Sequence, residues 1–320
     1  MYPQKLKANT MPNTTFYTPN GSPKATLLIV HGMAEHQQRY SDFAQFLANH
    51  GFVVMTFDHL GHGKRGKEET SEGHQPEQQQ GQQQANQAQL GYIGNPKPHQ
   101  QMISDVIDHA TILAQAYPNV AHFILGHSMG SFITRCVLQT YGDNFDGAII
   151  MGTSPPKAIV IPLIPLSRML NAIAPHRTNE VLGLLINKTN NAPFHQEPNL
   201  QNFNWLSQNP KQVRAYINDP LCGFTFTNNG FYALFSLIQQ GVQAKWAKNV
   251  PKNLPLLFVS GKQDSIGNMG KGIPQIITAL QRQNFTDITV HQYDGMRHDI
   301  LHEDGYKTVY DDILNWLMSR

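Results

Sequence analysis

Six short apolar runs rich in β-branched residues constrain this chain more than any other feature: Ala25–Val30, Phe52–Phe57, residues 121–125, Gly147–Met151, residues 254–259 and Ile288–Tyr293. Each is followed within two residues by Gly, Asp or Ser, and amphipathic stretches such as residues 131–141, 269–283 and 303–318 follow them. That alternation is the rhythm of strand, crossover helix and parallel strand. Apolar runs without polar alternation suit strands covered by helices on both faces, so the pattern predicts an α/β fold on a doubly wound, mostly parallel sheet.

The rhythm breaks between residues 155 and 250, where helix-like apolar patches are separated by Pro and Asn clusters and no strand is evident. We read this stretch as a helical cap inserted into one sheet domain: residues 1–154 form the first part of the core, 155–250 the cap and 251–320 the second part. Residues 63–98, which include a Gln-rich run at 75–89, carry almost no apolar side chains. Such a stretch cannot bury enough surface to offset its ordering entropy, so a tolerated surface-loop insertion is expected there rather than a partner-binding tract.

Charge excludes one class of partner. Lys and Arg number 24 against 22 Asp and Glu, and no run of five like charges occurs, so no phosphate-backbone footprint and no nucleic-acid partner are expected. The longest apolar run, residues 158–166, is nine residues broken by Pro162 and Pro165, where a membrane-spanning helix needs about 20. The N-terminal stretch has no apolar h-region and no small-residue cleavage site, so a cytoplasmic protein is expected. The two cysteines, Cys136 and Cys222, sit in no CxxC pair and are expected to be buried thiols.

Chemistry enters at Gly126-His127-Ser128-Met129-Gly130, a G-x-S-x-G between a strand run and a helical stretch. In that context the serine occupies a sharp turn whose flanking positions must approach neighbouring backbone closely, and Ser128 is the candidate nucleophile. A serine alcohol needs a base, and the base an orienting carboxylate, later in the chain in the order acid then His. Asp264 follows the fifth strand run, and His298 follows the sixth and precedes the last helical stretch. Asp294 and Asp299 are rival acids but lie too near His298 in the chain to come from a separate strand edge. His298 and His302, at i and i+4, could share a metal, but no third ligand stands at a tell-tale spacing and no metal is expected. A tetrahedral intermediate needs backbone donors for its oxyanion, and the N–H groups of Met129 and Met33 are the candidates.

His31-Gly32-Met33-Ala34-Glu35-His36 with Arg39-Tyr40, Asp58-His59-Leu60-Gly61-His62-Gly63, the Ser128 motif and Gly295-Met296-Arg297-His298 together resemble the α/β-hydrolase family of monoacylglycerol lipases and lysophospholipases, also grouped with serine aminopeptidases. Asn218-Asp219-Pro220-Leu221-Cys222-Gly223-Phe224 resembles bacterial members. The resemblance implies an α/β-hydrolase fold, a Ser128–Asp264–His298 triad, oxyanion amides at Met33 and Met129, no cofactor, and a small acyl ester or monoacyl lipid as substrate. Leu60 stands where the family often has Arg, and Arg65 where it often has a small hydroxyl residue. Apolar stretches at 158–170 and 181–186 offer surface for an acyl pocket or transient contact with a lipid surface, though most of it is expected to pack the cap on the core. Two alternatives follow: an aminopeptidase of the same fold, anchoring a substrate ammonium on Glu180, Glu197 or Asp219, and a non-catalytic binding protein.

Overall fold

In a computed structural model that describes residues 13–68, 89–158 and 160–320, the apolar runs become strands of one sheet. The Gln-rich run falls, from residue 75 to 88, outside the described residues. The strands are β1 (Thr14–Tyr17), β2 (Ala25–Val30), β3 (Phe52–Phe57), β4 (Ala121–His127), β5 (Gly147–Met151), β6 (Leu256–Gly261) and β7 (Ile288–Tyr293), in the spatial order β1-β3-β2-β4-β5-β6-β7. Only β1 runs antiparallel, pairing Thr14 with Phe57 at the edge, and every other neighbour is parallel. The helices are α1 (Ser41–Asn49), α2 (Arg65–Glu68), α3 (Pro98–Ala116), α4 (Met129–Tyr141), α5 (Val160–Ile173), α6 (Glu180–Asn191), α7 (Pro210–Asn218), α8 (Asn228–Val242), α9 (Gly272–Gln281) and α10 (Tyr306–Met318).

Because successive strand side chains point to opposite faces, each central strand feeds two layers. Leu27, Ile29, Leu125, Ile149 and Leu257 pack with Phe43 and Leu47 of α1 and Val309 and Ile313 of α10. Leu28, Val30, Ile124, Ile150 and Phe258 pack with Val106 of α3, Ile133 of α4, Leu237 of α8 and Ile276 of α9. This is the doubly wound α/β-hydrolase arrangement. Helices α5 to α8 lie between β5 and β6, and α8 packs on α3, α4 and α5, which ties the inserted stretch to the sheet's helix layer. Local signals start these helices: Asn179, Asn209 and Thr227 are N-caps whose side chains accept the N–H groups of Leu182, Lys211 and Gly230.

Among the departures from the sequence pattern, three have a clear physical reason. The four half-buried residues of β1 carry too little apolar signal to stand out. The run at 254–259 enters the sheet two residues late, after Pro255, which has no N–H for the ladder. The helix expected from 269 starts at Gly272, because Asn268, Met269 and Gly270 take positive φ angles of 56°, 52° and 77° in a turn before it.

The chain runs outward from β2 to β3 and then returns to place β4 on the other side of β2. At that reversal a crevice opens at the carboxyl ends of β2 and β4, the place where open parallel sheets bind ligands.

Truncating the fully buried Ile149 to Ala should cost about 2–5 kcal/mol in a urea melt through lost burial and the cavity left behind. Ile161→Ala, at a side chain 68% exposed, should stay within about 0.5 kcal/mol of the parent.

Candidate active site

Ser128 stands between β4 and α4 at φ 53° and ψ −118°, a conformation that costs a non-glycine residue about 1–3 kcal/mol. Close packing holds it there. A Cβ on Gly126 would lie 2.3 Å from the Gly130 carbonyl oxygen, and one on Gly130 would lie 2.0 Å from the Val30 carbonyl oxygen of β2. The two glycines of the motif are therefore a steric requirement of packing α4 on β2 and β4. Ser131 Oγ donates to the Ser128 carbonyl at 2.6 Å and lies in hydrogen-bond contact with Thr153 Oγ1 at 2.9 Å, bracing the turn against the end of β5.

Asp264 follows β6 and His298 follows β7, and both are buried. His298 Nδ1–H donates to Asp264 Oδ2 at 3.0 Å, while the Ile266 N–H donates to Asp264 Oδ1 at 2.8 Å. The carboxylate is thus fixed at both oxygens and orients the imidazole. The ring lies between His127, 4.9 Å away, and Trp205 from the inserted stretch, 5.0 Å away. Its Nε2 is buried and has no hydrogen-bond partner among the described residues. His298, Ser128, Met33 and Met129 all line one cavity. Met129 is the first residue of α4, so its N–H belongs to the first turn, which has no intrahelical acceptor. The rest of the wall is mostly apolar, with Phe132, Leu163, Leu234, Phe235 and Ile238 among its residues.

A buried polar cluster beside the cavity joins residues of three quoted motifs, Glu35, Arg39 and Tyr40, His127, and the rival acid Asp299, in contacts that the sequence reading did not assign. Glu35 Oε1 accepts the Gly32 N–H at 2.5 Å and the Tyr40 hydroxyl at 2.8 Å, and Glu35 Oε2 accepts Arg39 Nε–H at 3.0 Å. Arg39 also pairs with Asp299, whose other oxygen accepts from His302 Nδ1 at 2.8 Å. His127 Nδ1–H donates to the Tyr40 oxygen at 2.7 Å. Burial alone would push the Glu35 carboxyl up, but the hydrogen bond and charge of His127 and the charge of Arg39 outweigh it and hold Glu35 well below the carboxylate range. In turn, burial would lower His127, and Glu35 and Asp299 reverse that and raise it. Within the cluster, the contact with a local sequence spacing is the i,i+4 pair Glu35 and Arg39.

The other candidates fall elsewhere. Asp294 is exposed and pairs with Lys262. His298 and His302 bond to different carboxylates. Glu180 accepts from Thr225 Oγ1 at 3.0 Å, Glu197 pairs with Arg297, and Asp219 Oδ2 lies 2.9 Å from His36 Nε2. Leu60 packs against the core, and Arg65 bridges to Asp105 at 2.8 Å. Cys136 and Cys222 are both free and buried.

The Asp58–Gly63 loop brings two imidazoles onto a third. His31 stacks at 4.1 Å from His59 and 5.3 Å from His62, and its Nε2 accepts the His59 N–H at 3.1 Å. Burial pushes His31 down to about 4, against the opposing charge of Glu35, and pushes His62 down to about 3. Burial and the neighbouring imidazoles also hold His59 well below its ordinary value. These rings stay neutral in the folded protein while unfolded histidines take up protons near pH 6.5, so their stabilising contribution is complete above 6.5 and is lost as pH falls towards 4. Unfolding by urea at pH 7 and pH 4.5 should show a loss of about 2 kcal/mol or more from His62 alone, and His62→Leu should flatten the slope over that interval. An unchanged slope would contradict this.

A parallel sheet with a serine at a strained strand-to-helix turn, and an Asp-oriented histidine from the last strand edges, defines an α/β-hydrolase. The chain belongs to the serine aminopeptidase, S33, family, whose model matches residues 21–305, and it is a hydrolase. The mouse monoglyceride lipase is 25% identical over 313 residues, covering 95% of this chain and 86% of the mouse protein. A monoacylglycerol lipase of Mycolicibacterium smegmatis is 27% identical over 306 residues, covering 95% and 91%. The crystal structure of a highly thermostable carboxyl esterase from Bacillus coagulans in complex with glycerol superposes with a TM-score of 0.83 at 27% identity, covering 96% of this chain and 93% of that one. No described helix is long and apolar enough to cross a membrane.

Proposed function

We propose that the protein is a serine ester hydrolase that cleaves monoacyl lipids, a monoacylglycerol or a lysophospholipid, through an acyl-enzyme. The observation that carries this reading is the convergence of Ser128 and the Asp264-oriented His298 on a mostly apolar cavity. The names of the relatives support the same substrate class.

In this mechanism His298 Nε2 takes the Ser128 hydroxyl proton as Oγ attacks the ester carbonyl. Asp264 stabilises the imidazolium that forms, and the Met33 and Met129 N–H groups receive the oxyanion. Collapse expels the alcohol, which takes the proton from His298, and leaves the acyl group on Ser128. A water deprotonated by His298 attacks the acyl carbonyl, and the second tetrahedral intermediate releases the fatty acid as Ser128 regains its proton. Ser128→Ala should abolish labelling by a fluorophosphonate and stop release from every ester. Asp264→Asn should lower kcat by about four orders of magnitude through loss of imidazole orientation. Wild-type turnover in either variant would refute the assignment.

An aminopeptidase would need a carboxylate free to hold a substrate ammonium. Glu180, Glu197 and Asp219 are each engaged by another side chain. The carboxylates on the cavity wall, Glu35 and Asp299, are tied to Arg39. That bonding favours esters over aminoacyl amides.

The inserted helices add a contact with the lipid phase. Ile161 and Ile173 of α5 and Val181 of α6 are 68%, 74% and 77% exposed, large apolar side chains that a lipid surface would cover. Changing all three to Ser should raise the apparent KM on vesicle-borne monoacylglycerol several-fold, through an estimated loss of roughly 1 kcal/mol or more of burial per side chain. Hydrolysis of a water-soluble short-chain ester should stay the same, and equal loss on both substrates would count against the contact.

A further inference from the structure

Two cationic side chains line the cavity, and they differ in how they are paired. Arg39 is bound by Glu35 and Asp299. Lys157 has no ion-pair partner among the described residues. Burial pushes its ammonium below the ordinary lysine value, against the opposing charge of Asp264. No hydrogen bond or ion pair joins the two: the Asp264 oxygens accept from His298 and from the Ile266 N–H.

The backbone holds Lys157 in place. It follows Pro155-Pro156, whose rings fix φ, and a Cβ on Gly272 of α9 would meet Pro155 Cδ at 2.6 Å, so this arm is wedged against the core. The Lys157 carbonyl accepts the Val160 N–H at 3.1 Å at the start of α5. A second unpaired cation lies behind the same wall: Arg135 is buried, donates to the carbonyl of Ser154 at 3.1 Å and to Thr153 Oγ1 at 3.2 Å, and stacks on Trp246 at 4.5 Å, with no carboxylate partner among the described residues. Ser154 itself lines the cavity. The wall around residues 154–157 is therefore positively biased inside an otherwise apolar space. Lys157 is half-buried and makes no ion pair among the described residues, so an anion entering the cavity would gain a charge-assisted contact with its ammonium.

We propose that the cavity selects esters carrying a second, anionic group, a phosphate or a carboxylate, and that Lys157 is the residue that binds it. This rests on the ester-hydrolase reading. The group could come from the head of an anionic lysophospholipid or from the acyl end of a dicarboxylic half-ester, and the pairing chemistry at the ammonium is the same.

The test compares kcat/KM for lysophosphatidylglycerol, a monoester of a medium-chain dicarboxylic acid and neutral monoacylglycerol, in parent, Lys157→Met and Lys157→Arg proteins. At least one anionic ester should exceed the neutral one in the parent. Lys157→Met should reduce that anionic-to-neutral ratio about tenfold or more, mainly through KM, as expected for loss of a charge-assisted hydrogen bond. Lys157→Arg should keep most of the ratio. Whichever anionic ester responds identifies whether a head-group phosphate or an acyl carboxylate is bound. Robust hydrolysis of the neutral ester with a ratio that Lys157→Met leaves unchanged overturns this proposal and leaves the ester-hydrolase reading standing. No Ser128-dependent release from any ester overturns both.

Discussion

The turn at Ser128 is the constraint on which the rest of the site depends. A serine at φ 53° persists only where its surroundings overdetermine it. Here they do so through backbone contacts among three parallel strands. Gly130 lies against the β2 carbonyls, Ser128 N–H donates to the Met151 carbonyl of β5 at 3.0 Å, and Ser131 ties the same turn to Thr153. Ser128 is therefore registered to the ends of β2, β4 and β5 together. The loop after β2 is drawn in by the same contact: a Cβ on Gly32 would meet Ser128 Cβ at 3.2 Å and the Glu35 carboxylate at 2.6 Å. Met33, the next residue, is brought to the nucleophile by a glycine that could not carry a side chain there.

Features that depend on local periodicity were legible in the sequence, and features that depend on distant contacts were not. Six apolar runs are strands because burial on both faces suppresses polar alternation, and their order fixes where Ser128, Asp264 and His298 leave the sheet. β1 escaped because four half-buried residues at an antiparallel edge produce no contrast with their flanks. The cluster of Glu35, Arg39, Tyr40, His127 and Asp299 escaped for a different reason. Arg39 and Asp299 are 260 residues apart, and Tyr40 and His127 are 87 apart, so no window of sequence contains them together. His127 occupies the unspecified second position of the nucleophile motif, where the pattern asks for nothing. Its charge is set by Glu35, and only the fold brings the two together.

Lys157 shows the same limit at the cavity wall. In the sequence it is one of 24 basic residues, followed by an apolar stretch that reads as packing surface. Pro155 and Pro156 stand where the strand rhythm breaks off. In the fold they set the direction of the chain between β5 and α5, and through Gly272 they press that segment against α9. Whether a lysine is solvated or faces a cavity is settled by that arm, and nothing in the spacing of residues 154–160 encodes it.

The buried cluster also explains how two carboxylates can stand beside a site that, in the proposed mechanism, stabilises a negative oxyanion. An unneutralised Glu35 next to the Gly32–Met33 backbone would oppose the charge that forms in the transition state, and in a low-dielectric setting that opposition would be large. Arg39 lies between Glu35 and Asp299 and pairs with both, and His127, whose Nδ1 lies 3.5 Å from Glu35, is raised by those same carboxylates. Arg39 offsets part of the carboxylates' charge, so Glu35 can orient the Gly32 N–H with less negative charge beside the oxyanion site of the proposed mechanism. In the proposed reaction an ester carbonyl entering the cavity would meet oriented amides, an imidazole held by Asp264 and an apolar wall. Each carboxylate near it is already engaged by a donor, which suits a carbonyl that acquires negative charge and leaves no anchor for a substrate ammonium.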